Sequence, residues 1–178
     1  DCRLPTADCR LPTAREDLAM TTRDITVVRP GEGPIIAAGM GDEYQIKITR
    51  DLSAGALLVM DAAIEPGGGP PLHVHLRDDE WFSITTGEVA FWNGREAITA
   101  GPGAFVYIPR GRPHTIKNRS TAPARMLIGV TPADAADFFR AFGQLIPDGT
   151  HPSDMEIGKR ILALAPRFGL EILGPNPL

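Results

Sequence analysis

"GGGPPLHVHLRDDEWFSITTG", Gly67–Gly87, decides the reading of this chain. A glycine- and proline-rich loop leads into two of the chain's four histidines, set one residue apart. An acid follows five residues later, and then a strand-like, aromatic-rich run. On a strand, residues i and i+2 face the same side, so His73 and His75 point the same way. Two imidazoles side by side on one wall suit a metal ion, and Glu80 reaches the same point once the chain has turned slightly. A transition metal held this way needs a further ligand. His114 lies in a comparable setting, "GAFVYIPRGRPHTIKN" from Gly103 to Asn118, where a strand, a Pro-x-Gly turn, the histidine and another strand follow one another.

Outward from these stretches the chain reads as short extended runs cut by turn residues. Ile25–Val28 is apolar and β-branched. Tyr44 to Thr49 alternates apolar and polar with period two, as a half-buried strand does. Ala56–Ala63 is a near-continuous apolar run. Trp81–Thr85 and Val89–Trp92 flank a turn at Gly87, and Asn93-Gly94 is a hairpin signal. Ala104–Ile108, Thr115–Lys117 and Arg125–Val130 complete the set. Short strands spaced in this way predict an all-β sandwich or barrel.

After Pro132 the period changes. Phe138 and Phe142 stand at i, i+4 with Leu145 one turn on, which predicts a helix opened by Asp134. Ser153 to Ala165 predicts a second helix, with Ser153 and Glu156 as a capping box and Pro166 as its end. Arg167–Leu173 reads as a last extended piece, and Gly174–Leu178 as a loose tail. The helices are expected to pack outside the barrel or on a second subunit. The organisation is therefore a barrel over residues 20–131 and a helical extension over 132–178. Asp1–Ala7 and Asp8–Ala14 are identical repeats of DCRLPTA, so residues 1–19 read as a tag or fusion remnant, and Cys2 and Cys9 both fall inside them.

Composition narrows the function. The chain has 178 residues, 43% hydrophobic and 22% charged, enough for one domain with a sizeable core. Its net charge is −4, and no basic stripe marks a nucleic-acid partner. No apolar run approaches the roughly 20 residues of a membrane helix. The lack of cysteine beyond the leader and of a signal-like start fits a cytoplasmic location.

The two histidine stretches together resemble the cupin superfamily. Its first motif is matched by Gly67, His73, His75, Glu80 and Gly87, each at the motif spacing. Its second is matched by Gly103, Pro109, Gly111, His114 and Asn118, again without a spacing error. The resemblance covers Ile35 to Val130. The C-terminal part, with FFRAFG and GLEILGPNP, is similar to that of single-domain cupins of the quercetin 2,3-dioxygenase-like kind. The resemblance implies an all-β double-stranded β-helix, a jelly-roll barrel. It implies His73, His75, Glu80 and His114 as ligands of one divalent transition metal. Imidazole and carboxylate donors suit Fe, Mn, Ni, Co or Zn, and no thiolate is present to favour a soft metal.

Asp78 and Asp79 are read as solvated, although the acidic run leaves open which carboxylate faces the histidines. His151 is read as a surface residue. Phe82, Ile84, Phe91, Phe105 and Tyr107 are candidate core or pocket residues, and Tyr107 is the expected hydrogen-bond donor to a ligand. Ser83 stands where related single-domain cupins often carry a tyrosine. The resemblance implies a dioxygenase-type oxidoreductase acting on a small enolisable or phenolic, flavonol-like substrate, with Glu80 as base and Tyr107 as a second catalytic group. A metal-dependent isomerase, lyase or decarboxylase would use the same ligands. A non-enzymatic small-molecule binder is the third reading. A homodimer is the expected assembly.

Overall fold

The computed structural model describes residues 24–39, 41–144 and 153–178. The tandem repeat, both cysteines, Leu145 and His151 lie outside the described residues. Strands dominate. In chain order they are β1 (Ile35–Gly39), β2 (Asp42–Ile48), β3 (Leu58–Ile64), β4 (Leu72–His75), β5 (Asp79–Thr86), β6 (Val89–Trp92), β7 (Ala97–Ala100), β8 (Phe105–Ile108), β9 (Thr115–Lys117), β10 (Ala124–Thr131) and β11 (Leu170–Gly174). One helical turn, α1 (Arg50–Ser53), connects β2 to β3, and α2 (Ala136–Gln144) and α3 (Asp154–Leu164) follow β10.

Six strands form the larger sheet in the order β1-β2-β3-β10-β5-β8, and β7-β6-β9 and β11-β4 form two smaller ones. All of the pairings are antiparallel. The order jumps far along the chain, as a jelly roll requires, so strands distant in sequence share one barrel wall. β3 alternates strictly, with Leu58, Met60, Ala62 and Ile64 buried and the residues between them partly exposed. Its inward side chains meet Phe82 and Ile84 of β5 and Met126, Ile128 and Val130 of β10 in one apolar core. At about 25 cal/mol per Å² of apolar surface, this shared burial is the main source of stability.

The expected elements are largely present. Asn93-Gly94 forms the β6–β7 hairpin, with Gly94 at φ +95° and Asn93 Oδ1 accepting from Arg95 N and Glu96 N. Ser153 and Glu156 form the reciprocal capping box of α3. Pro166 ends α3 as expected, and Ala165–Phe168 follows as a 3₁₀ turn in which the missing N–H of proline costs little. Three expectations change. Ile25–Val28 forms no strand: Ile25 is 96% and Val27 69% exposed, and the segment has no partner strand among the described residues. α2 begins at Ala136, because Asp134 is engaged by Arg50 at 3.0 Å instead of capping a helix. The tail is tied down: Asn176 Nδ2 donates to Pro70 O and Ile116 O, and Lys117 Nζ donates to Leu178 O.

The C-terminal extension and the barrel share structure. β11 pairs with β4, setting Ile172 opposite His73 and Leu170 opposite His75. α2 and α3 lie outside the sheets, yet Phe138, Phe139, Phe142 and Ile161 close over the barrel interior and form part of a cavity wall. Phe138 and Phe142 stack with ring centroids 5.9 Å apart, and Phe139 meets Tyr44 of β2 edge-on at 6.1 Å. Among the described residues, no helix is long and apolar enough to cross a membrane.

Candidate metal centre

The backbone fixes the histidines before any side chain does. His73 N donates to His114 O at 3.0 Å, and His114 N donates to His73 O at 2.9 Å. This reciprocal pair sets β4 beside the residue that leads into β9 and brings the two imidazoles to 4.4 Å between centroids. The Pro109-x-Gly111 turn closes with Arg112 N on Pro109 O, and Gly111 N donates to His75 O at 2.7 Å. Gly111 has φ +77°, where a side chain is disfavoured. The loop ahead of the histidines is held as closely. Gly67 N donates to Asn118 O, Asn118 N donates to Gly68 O, and a Cβ on Gly69 would stand 2.1 Å from Ile116 O. Asn118 is fully buried; its amide donates to Ile64 O and Ala122 O and accepts from Ser120. The closing glycine-rich loop and Asn118 are therefore architecture that carries the ligands.

His73, His75, Glu80 and His114 each offer one donor atom, and these atoms all lie within 4.8 Å of one another. His75, Glu80 and His114 are buried, and His73 is partly exposed. The Nδ1 of His73 lies 2.9 Å from Pro71 O and that of His114 2.9 Å from Arg112 O. An Nδ1–H donating to a carbonyl leaves Nε2 as the inward donor atom, the arrangement that metal-binding histidines require. Glu80 Oε2 stands 2.8 Å from His114 Nε2 and 3.6 Å from His75 Nε2. These four groups fit one divalent transition metal in number, chemistry and convergence.

Electrostatics separate the members. Burial pushes His73 down to about 3, aided by the neighbouring His114 and His75. Burial alone would raise Glu80, but its pairing with His75 and His114, with His73 close by, brings it down to about 2. Burial alone would lower His114, and its bond to Glu80 instead raises it. The carboxylate is ionised at neutral pH, and His73 is neutral, as metal ligands must be.

The cluster opens into a cavity of about 90 Å³. Its described wall is otherwise apolar or aromatic: Met60, Phe82, Ile116 and Ile128 from the barrel, the three phenylalanines of α2, Ile161 of α3, and Leu170 and Ile172 of β11. Tyr44 contributes a phenol whose ionisation burial pushes far up.

The other expected residues separate. Phe82 lines the cavity, and Ile84 and Phe91 are buried core. Tyr107 does not join them. Opposite residues of an antiparallel pair share a face, and Tyr107 is opposite Trp81 while Ile108 is opposite Glu80. Tyr107 is consequently 57% exposed on the outer wall, like Phe105 at 64%, and its hydroxyl engages Asp79. Asp79 also takes the Arg110 guanidinium at 2.9 and 3.1 Å. Asp78, expected in solvent, is only 1% exposed, and its Oδ1 accepts from Asp134 N at 2.8 Å. Sequence reasoning also missed Tyr44 and Leu170 as wall residues. Their period-two burial was legible, but the element they face was not.

Residues 60–130 match the family model described as the cupin domain. No curated protein matches the chain at a significant level. Among solved structures the chain is similar to KdgF from Halomonas sp. (15% identity, 61% of this chain and 94% of that one, TM-score 0.55). It is also similar to a predicted oxalate decarboxylase from Thermotoga maritima (22% identity, 60% and 99%, TM-score 0.54). A third is the polyketide cyclase RemF from Streptomyces resistomycificus (18% identity, 61% and 80%, TM-score 0.54). These structures share the fold of the barrel that carries the cupin-domain match.

Proposed function

We propose that this chain is a metal-dependent enzyme of the dioxygenase type, acting on a small enolisable or phenolic substrate. The observation that carries the reading is the convergence of three imidazoles and one carboxylate at the polar end of an otherwise largely apolar cavity. A divalent transition metal bound there supplies a Lewis acid for a substrate oxygen and open positions for a second ligand such as O₂. His73, His75 and His114 would hold it together with Glu80.

The remaining work falls to the chain's own groups. Glu80 is the only carboxylate in the cavity wall among the described residues, so it is the group placed to accept a substrate proton. His114, 2.8 Å away, orients that carboxylate. Phe82, Phe138 and Phe142 hold the apolar body of the substrate, and the apolar wall limits water around a reactive carbanion or enolate. No Lys or Arg lines the cavity among the described residues, so the wall suits an uncharged body better than a phosphate ester or a dianion.

The same groups also serve a reading without oxygen, as an isomerase, lyase or decarboxylase, because a Lewis acid and one proton acceptor suffice. The experiment is metal analysis of the purified protein followed by oxygen-electrode assays with flavonols and other enolisable phenols. Oxygen uptake that vanishes in Glu80→Gln supports the dioxygenase reading. Turnover without uptake shifts the chain to the second reading. No retained metal, and none taken up on reconstitution, overturns both.

A further inference from the structure

The three histidines differ in what holds their far nitrogen. His73 and His114 each set Nδ1 against a backbone carbonyl. His75 does not: its Nδ1 is buried and has no hydrogen-bond partner among the described residues. Among the described residues, the one other buried side-chain atom of that kind is Asp78 Oδ2, 3.9 Å from it. Two orphaned, complementary buried atoms facing each other are unusual, since such groups are nearly always satisfied. The second oxygen of the same carboxylate is engaged. Asp78 Oδ1 accepts from Asp134 N at 2.8 Å and from Ala135 N at 3.4 Å, in the segment that leads into α2.

We propose that Asp78 is a positioning residue for His75. Its Oδ2 accepts a hydrogen bond from Nδ1–H, directly or through one water, so that Nε2 stays unprotonated and turned into the His73–Glu80–His114 cluster. The inference rests on the metal reading for its purpose, but the orientation is a property of the metal-free chain. The carboxylate does for His75 what Pro71 O and Arg112 O do for the other two. An imidazole whose outer N–H is fixed is the better ligand, because its tautomer and ring plane are set in advance. Through Oδ1 the same side chain ties this ligand to the base of the helix that covers the cavity.

Asp78→Asn is the discriminating change. Asparagine keeps the shape, but its amide cannot accept from the 134–135 backbone and from His75 at once. Arg50→Ala is the control. It removes bonds to Ala133 O and Asp134 in the same segment and does not touch His75.

Two readouts on the full chain are required. In the metal-free protein at mildly alkaline pH, long-range ¹H–¹⁵N correlation of labelled histidine, assigned with His75→Gln, is expected to show His75 protonated on Nδ1. Asp78→Asn is expected to move that proton to Nε2, and Arg50→Ala to leave it in place. In cobalt titrations, Asp78→Asn is expected to bind about 10- to 100-fold more weakly, and Arg50→Ala within about twofold of wild type. Wild-type His75 protonated on Nε2 overturns the proposal, as does equal weakening of cobalt binding in both variants. A wild type that takes up no cobalt refutes the metal reading alone, and the tautomer measurement still decides the role of Asp78.

Discussion

Asp79 and Glu80 are neighbours on one strand, both carboxylates held below their usual range, and they do opposite things. Asp79 faces outward and is held down by the Arg110 guanidinium and backbone N–H in solvent. Glu80 faces inward, where burial works against its charge and three histidines overrule it. A third carboxylate separates burial from partnership. Asp42 is 3% exposed and pairs with no cation among the described residues; burial pushes it up to about 6, against the hydrogen bonds from Glu65 N and Gly69 N. Burial alone therefore pushes an acid in this barrel upward. What moves Glu80 in the opposite direction is the imidazole cluster, so its low value is specific to the site.

The sharpest way to break this contrast is to neutralise each of the pair. Glu80→Gln is expected to weaken metal binding by more than about 100-fold, while Asp79→Asn stays within about twofold. Isothermal titration with cobalt or zinc measures both, and similar losses would show that the two faces are not distinct.

Next in size is the loop that sets the histidines. Gly69→Ala drives a Cβ into Ile116 O at a φ of +135° and is expected to cost about 2–4 kcal/mol, read as a lower denaturation midpoint.

Asp42→Asn sharpens the comparison through pH. The folded chain binds the Asp42 proton more tightly than the unfolded chain does. Its stabilising contribution is present below about pH 4 and is lost as pH rises through about 6. The asparagine variant should therefore gain on wild type across that window, on the order of 1 kcal/mol after solvent screening. Parallel pH–stability profiles for the two proteins would refute this. Smallest of all, Tyr107→Phe removes a phenol that touches only the outer Asp79–Arg110 group. It should change neither metal affinity nor melting temperature, and a loss of metal binding would place that face in the site after all.

Much of this was legible in the residues. Period-two alternation in β2, the short strand-like runs that follow and the turn at Asn93-Gly94 predict an all-β sandwich or barrel. The Ser153–Glu156 capping box marks α3. The ten motif positions from Gly67 to Asn118 select the histidines and glutamate that the structure brings together. These are local properties: a strand's own pleat fixes which of its residues share a face, and motif spacing records loops of fixed length. Tertiary structure decided the rest. Register across β5 and β8 put Tyr107 opposite Trp81 and therefore outside. The return of β11 to β4 made Leu170 and Ile172 neighbours of the histidines, and it turned α2 from an outer decoration into the cavity's cover. The turn before α2 gave Asp78 two backbone donors and buried it. The physical reason is the same each time. A strand's pattern states that a side chain has an inside and an outside, but only its neighbours in space determine which is which.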